Sequence, residues 1–230
     1  MDTERLPFDL TSHSKTKESI GTNVYLPDSK EGQVIKVSRI NFDCSSLVAA
    51  LERVKEYRQR EIVATEEAGI VTKKAIVPQA YVLAEGDTPG TARIVRTQEY
   101  VEGIPLKNLG FREIMNLSIK QIDTLRAIIA DSMKCYLKHG VNYDLIGSDE
   151  RDARKKSRIL NLKRLIFPLR NSNNLFATKD EIKLVDPNVY GNLAKKDSLK
   201  TAIIQGLLFL SSAADYLTLT ALRFTLKERP

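Results

Sequence analysis

The amino-acid sequence predicts an α+β fold, with strands gathered in the first half of the chain and helices in the second. Three observations carry that expectation. Short β-rich runs bounded by turn residues crowd the region up to about residue 101, and one long stretch rich in Ala, Leu, Glu and Arg interrupts them. Beyond it, apolar residues recur at three- and four-residue steps. The spacing places a β-rich unit at 1–101 and a mainly helical unit at 102–230, with the boundary near "EYVEGIPL".

Taken in order, "TNVYLPDSKEGQVIKVSR" holds runs at Asn23 to Leu26 and Gln33 to Val37 around a Pro-Asp-Ser-Lys-Glu-Gly turn, which predicts a hairpin. A helix is expected from about Ser45 to Ala68, with Ser45 or Ser46 as N-cap and Gly69 as stop. Leu47, Leu51 and Val54 would form its inward stripe. "AYVLAE" and "ARIVRTQEYV", separated by "GDTPG", read as two more strands, so the simplest product is a five-stranded antiparallel sheet with one helix. Then "SIKQIDTLRAIIADSMKCYLKHG" sets Ile122, Leu125, Ile129, Met133, Tyr136 and Leu137 on one face and ends at Gly140. "NLFATKDEIKLVD" gives two short runs around a polar turn at Thr178 to Glu181. The last apolar stretch, "TAIIQGLLFLSSAADYLTLTAL", carries Gln205, two serines and Asp215, which favours a buried core helix over a membrane span.

Composition narrows the partners. A formal net charge of +7 favours an anionic one: nucleotide phosphates, nucleic acid or an acidic surface. The presence of only two histidines, His13 and His139, argues against a His-rich metal site or a conventional Ser-His-Asp triad. Cys44 and Cys135 lie far apart with no CxxC spacing, so both are expected to be reduced. The segment "MDTERLPFDLTSHSKTK" carries acids and no apolar signal core, and the expectation is a cytoplasmic protein.

Lys36 lies in the apolar run "VIKV", sharing a strand face with Val34. A lysine there is most often a snorkelling edge residue. Glu61, two full turns beyond Val54, falls near the helix's inward stripe, and a carboxylate there calls for a cation, for which Lys36 is the candidate. Glu56, about 200° round from Val54, should face solvent. If the helix rotates or stops early, Glu61 loses that position.

"VYLPDSKEGQVIKV", a helix with an inward Glu, a strand, then "RIVRTQEYVEG" together resemble the N-terminal lobe of the protein-kinase-like superfamily, which includes protein kinases and aminoglycoside- or choline-type kinases. The resemblance implies a two-lobed fold, with an antiparallel N-terminal sheet carrying one helix and a short helical C-terminal lobe. It puts Gln98 at the gatekeeper position and gives Glu99, Tyr100 and Val101 the backbone groups that hold adenine. Lys36 would contact the α- and β-phosphates of ATP, and Glu61 would hold Lys36. "YLKHGVNYDLIG" is similar to the approach to the catalytic loop, with Asp144 at the general-base position. "NSNNLFATKDEIKLVDPN" resembles the stretch between two Mg²⁺ ligands, here Asn174 and Asp186, with Asn173 as the alternative if the register slips.

The pattern also departs from that family. Gly21 stands alone where a glycine-rich loop is expected, Asn142 replaces the histidine two before Asp144, and "DPN" stands in place of "DFG". From Asp144 to Asn174 is 174 − 144 = 30 residues, making about 148–172 an insertion with Arg151, Arg154, Lys155, Lys156, Arg158, Lys163 and Arg164. Alternatively the catalytic loop is the local "PLRNSNN", which puts Leu169 where the aspartate should stand. No "APE" follows, and the short remainder suits a small-molecule or anionic acceptor better than a broad protein substrate. Three readings follow in order: an ATP- and Mg²⁺-dependent phosphotransferase; a catalytically silent kinase-like regulator that binds nucleotide or a partner; and a basic nucleic-acid-binding module, disfavoured because Phe167 is the insertion's only ring.

Overall fold

The structure, a computed structural model, describes residues 13–19, 22–28, 32–38, 42–43, 47–86, 88–145, 169, 172–190 and 199–227. The chain forms two compact units, residues 1–59 with 78–102, and residues 60–77 with 103–230. A simple cut at 101/102 therefore misplaces residues 60–77. They follow a helix that runs on across the division, and a linear reading of the sequence has no means to separate its two halves.

In the first unit the described strands are β1 (His13–Ser19), β2 (Thr22–Pro27), β3 (Gln33–Ser38), β4 (Phe42–Asp43), β5 (Gln79–Glu85) and β6 (Thr91–Glu99). They form one antiparallel sheet. Its strand order is β1-β2-β3-β6, with β5 on the far edge of β6 and the short β4 paired to β6 on the same side as β3. Tyr25, Ile35, Val37, Ala84 and Val95 pack together as its core. β6 is buried on both faces, as a central strand should be.

The sheet has six described strands rather than the expected five. β1, "HSKTKES", is wholly polar, so no alternation betrays it, and it pairs only with β2 at the sheet edge. Helix α1 (Leu47–Glu67) spans the predicted range, but Leu47 and Leu51 stay exposed. The buried or half-buried positions at 4,3,4,3 steps are instead Ala50, Val54, Tyr57, Glu61 and Ala64. Leu47, Val48, Leu51 and Ile62, off this stripe, stay exposed. Tyr57 stacks on Tyr81 with ring centroids 6.4 Å apart, and the Arg96 guanidinium lies 5.5 Å from the Tyr57 ring. Glu56 is half-buried by an ion pair with Arg53 at 2.6 Å, where solvent exposure was expected.

The second unit holds the rest of α1, then α2 (Ile70–Ala75), β7 (Ile104–Pro105), a 3-10 turn (Leu106–Asn108), α3 (Phe111–Met115), α4 (Ile119–His139), β8 (Leu175–Ala177), β9 (Ile182–Leu184) and α5 (Leu199–Lys227). α4 begins on a capping box: the Ser118 hydroxyl accepts from the Gln121 N–H at 3.2 Å, and the Gln121 amide oxygen accepts from the Ser118 N–H at 2.8 Å. It ends at Gly140 in the left-handed region, φ 71°, which glycine adopts without strain. Ile122, Leu125, Ile128 and Ile129 are buried with Leu175, Ile182 and Leu184 of the three-stranded sheet β7-β8-β9. Leu137, expected on the inward face, is exposed because Ser132, Cys135 and Tyr136 carry that face through the last turns.

α5 is not the fully buried helix that its composition suggests. Leu219 and Leu222 enter the core shared with α4, while Leu210, Leu217 and Phe224 stay exposed. Thr201–Leu226 is long and apolar enough to cross a membrane by length and composition, and 28% of its most apolar window is buried. Cys135 is buried and in no disulfide; Cys44 lies outside the described residues.

Candidate functional site

The β8–β9 hairpin pairs Leu175 with Leu184, so Asn174 and Val185 are the next residues at its open end. The Val185 N–H donates to the Asn174 carbonyl at 2.8 Å and closes that end. Alternation through Ile182, Leu184 and the turn at Pro187 thus sets Asn174 and Asp186 at one end of one hairpin.

Asp144 reaches the same place by a different route. Residues 142–144 run antiparallel to 188–190: Asp144 N–H donates to the Asn188 carbonyl at 2.7 Å, Tyr190 N–H to the Asn142 carbonyl at 2.7 Å, and Tyr143 bridges Val189. The Asn174 side-chain amide then donates to the Asp144 carbonyl at 2.8 Å. That bond leaves the amide oxygen as the group of Asn174 able to meet a cation. Thirty residues of chain separate the pair, yet Ser172 Oγ donates to the Leu145 carbonyl, so the chain leaves and returns at adjoining points. Asp144, Asn174 and the strand end leading to Asp186 form one hydrogen-bonded unit.

The same contacts place the alternative residues. Asn174 is buried and bonded to Asp144, whereas Asn173 is half-buried. Leu169, the competitor for the aspartate position, is buried and directs its N–H at Asp215. Of the insertion, Arg151, Arg154, Lys155, Lys156, Arg158, Lys163, Arg164 and Phe167 lie outside the described residues.

Asp186 has φ 51°, the one positive φ at a non-glycine among the described residues. Left-handed backbone costs an L-residue roughly 1–2 kcal/mol, and such strain concentrates where a side chain must be aimed. The Asn188 N–H donates to the Asp186 carbonyl at 2.8 Å and pins the turn. Asn188 was not foreseen; its amide oxygen is buried with no hydrogen-bond partner. The only signal for it in the sequence is its place two residues past Asp186.

Asn142, which stands where the family pattern has histidine, is a structural residue. Its backbone N–H donates to the Gln205 amide oxygen at 2.9 Å, and its side-chain amide donates to that oxygen at 2.8 Å and to the Gln205 carbonyl at 2.9 Å. Gln205 in turn donates to the Tyr190 carbonyl at 2.9 Å, tying α5 to both strips of the site. Tyr143 donates to the Ala64 carbonyl at 2.8 Å, and burial pushes its hydroxyl pKa up. Close by in sequence, Glu67 is held down to about 2 by hydrogen bonds from His139 and Lys138, so the end of α1 is clamped to the end of α4.

In the first unit Lys36 is half-buried in β3, and its ammonium donates to the Gln98 amide oxygen at 3.1 Å. The register places Val34 opposite Gln98 and Lys36 opposite Arg96, so all four share one face. Gln98 is buried, Glu99 exposed, and Tyr100 and Val101 half-buried. The Tyr100 N–H is engaged by the Gly32 carbonyl at 3.0 Å, which removes it from the groups able to meet a ligand. Glu61, half-buried on α1, belongs to the second unit.

Comparison with known proteins decides nothing further. No family model matches the chain, and no curated protein matches it. The arrangement is therefore read from its own chemistry. Among the described residues no group of three or more His, Cys, Asp or Glu side chains could hold a metal. The donors near Asp144 are oxygens: the Asp186 carboxylate, the Asn174 amide and the orphan Asn188 amide. Such a set fits Mg²⁺, which takes one or two protein carboxylates and fills its octahedron with water and phosphate oxygens, and it does not fit zinc. A cavity of about 470 Å³ near Lys74, Lys120 and Glu181 includes none of these residues.

Proposed function

We propose that the chain is an ATP- and Mg²⁺-dependent phosphotransferase of kinase-like, two-lobed fold, acting on a small-molecule or anionic acceptor. The observation that carries the reading is the bonded unit of Asp144, Asn174 and the Asp186 turn, assembled across a separation of thirty residues. The sheet order β1-β2-β3-β6-β5, with Lys36 on an inner strand beside Gln98, supports it.

Each residue then has a task that its chemistry suits. Lys36 neutralises nucleotide phosphate charge, and Glu99 and Val101 offer backbone groups to adenine. Asp144 accepts the proton of the acceptor hydroxyl. Asn174 and Asp186 would hold Mg²⁺, which supplies charge neutralisation on the transferred phosphoryl group. The basic insertion is left as the candidate for an anionic acceptor. The nucleic-acid reading draws on those same residues and has no support from the described ones.

The test is ATP turnover with a panel of hydroxyl acceptors, with and without Mg²⁺, for the native chain, Asp144→Asn and Asp186→Gly. Glycine adopts the Asp186 backbone freely, so that variant should fold at least as stably while losing turnover by roughly 100-fold or more. Turnover that survives Asp186→Gly, or ATP hydrolysis indifferent to Mg²⁺, overturns the proposal. Mg²⁺-dependent nucleotide binding without turnover on any acceptor favours the silent regulator, a reading consistent with the burial of Asp144.

A further inference from the structure

Helix α5 carries two faces, and only one of them is used. Gln205, Leu208, Ser212, Leu219 and Leu222 are buried. Opposite them Ile203, Leu210, Leu217 and Phe224 repeat every seven residues and are 54%, 64%, 68% and 59% exposed. Leu207, Ala214 and Ala221 fall between them, giving steps of 4, 3, 4, 3, 4 and 3 over three heptads. A 3-4 apolar repeat is the seam of a coiled coil, and at 1.5 Å per residue this one is about 32 Å long.

We infer that this face is a homodimer interface, in which α5 packs antiparallel against α5 of a second copy. The occupant follows from charge, from side-chain size and from area. Between Lys200 and Arg223 the sole acidic or basic residue is Asp215, half-buried and bonded to the Leu169 N–H, so two copies of net charge +7 can meet here without opposing cations. The same absence of lysine and arginine deprives the face of the groups by which an interfacial helix grips an anionic bilayer. A spanning role would require lipid around Gln205 and Ser212, which are buried, and Gln205 is bonded to Asn142 and Tyr190.

Size sets the direction. A parallel pair stacks alanine on alanine at 214 and 221 and leaves voids, whereas an antiparallel pair puts Ala214 against Leu217 of the second copy and Ala221 against its Leu210. Large meets small in those two layers, and Leu207 meets Phe224 in the next. The exposed part of the seam amounts to about 500–600 Å² of apolar surface per copy, or about 1,200 Å² for the pair, the lower limit for a stable specific interface. The predicted dimer is accordingly reversible in the micromolar range.

Sedimentation velocity on the full chain at about 1–100 µM without detergent tests this, with far-UV circular dichroism as the folding control. The native chain should shift from monomer to dimer across that range. Leu210→Glu should raise the dissociation constant at least ~100-fold with its helix content kept, because the replaced side chain is exposed. Adding Ala221→Lys to that variant should restore association, since an antiparallel pair sets the two new charges against each other. If Leu210→Glu loses helix content, Leu210→Ala serves instead, with an expected rise of ~10-fold. A monomer throughout, a dimer indifferent to both substitutions at position 210, or a double variant no better than Leu210→Glu overturns the inference. So does a monomer that floats with phosphatidylcholine vesicles through this face.

Discussion

Asp215 offers the most direct check on the energetics of the second unit. It is half-buried on α5 and accepts the Leu169 N–H at 3.4 Å. Burial pushes its carboxyl up to about 6 from the ordinary 3.8, with the Leu169 hydrogen bond pulling weakly the other way. A raised folded value means that the unfolded chain releases this proton first as pH rises. The stability tied to the protonated carboxyl is thus complete below about pH 3.8 and lost by the time pH has passed about 6. The values differ by 6 − 3.8 = 2.2, which at about 1.36 kcal/mol per pH unit is about 3 kcal/mol. Asparagine has the same size, keeps an oxygen for the Leu169 N–H and carries no charge. Asp215→Asn should therefore stabilise the protein by about 2–3 kcal/mol at about pH 7.5 and by little at about pH 3.5. Urea unfolding followed by helical circular dichroism, run on both proteins at several pH values, isolates the effect, because every other titrating group cancels in the difference. A gap that does not change with pH, or a native chain that is the more stable at about pH 7.5, would falsify the burial argument.

Three further outcomes test the network around the site. Glu67→Gln should lower the thermal midpoint by a few degrees near neutral pH. That gap should close as pH falls from about 4.5 toward about 2, because the depressed carboxyl contributes stability only while ionised, and an unchanged gap at the acid end would count against the clamp from His139 and Lys138. Asn174→Ala removes the bond to the Asp144 carbonyl inside a buried setting and should cost about 1–3 kcal/mol in chemical denaturation; a cost near zero would mean that the two strips hold together without it. Gln205→Leu strands two donors of Asn142 and the Tyr190 carbonyl, so a loss of about 2–4 kcal/mol is expected, and proteolysis that fails to quicken around 188–190 would show the strips are held elsewhere.

What the sequence discloses depends on which physical signal each element carries. α4 is the most legible element, because a regular apolar step runs to a terminal glycine, although in its last turns Leu137 faces outward against expectation. β1 is hidden, since an edge strand with seven polar residues has no alternation to read. α1 is placed correctly but rotated: Leu47 and Leu51 look like core by type, while the stripe that is used passes through Ala50, Tyr57 and Ala64. Residue type shows that a helix exists, and the partner surface decides which way it faces. α5 shows the same limit, because an apolar sequence states how much surface wants cover and not whether one chain can supply it.

At the site, the difference between legible and hidden residues follows the kind of bond. Lys36 and Asp186 draw notice because a charged side chain in or at the end of an apolar strand asks for a reason, whereas Asp144 and Asn174 are picked out only by the resemblance to the kinase-like superfamily. Ser172 and Asn188 are not picked out at all, and Gln205 stands out only as a polar residue in an apolar stretch, since a bond to backbone leaves no mark on composition. Yet they fix where the visible residues stand. Asn188 binds Asp144 through its carbonyl and Asp186 through its N–H, so one residue ties the candidate base to the candidate metal ligand. Asp186 itself adopts a backbone that glycine would take at no cost, and the turn keeps a carboxylate there instead. A strained aspartate held by Asn188, beside a buried amide oxygen with no partner, is hard to account for as a hairpin end. Under the proposed function Asp186 would be a Mg²⁺ ligand, and a bound cation would repay the strain.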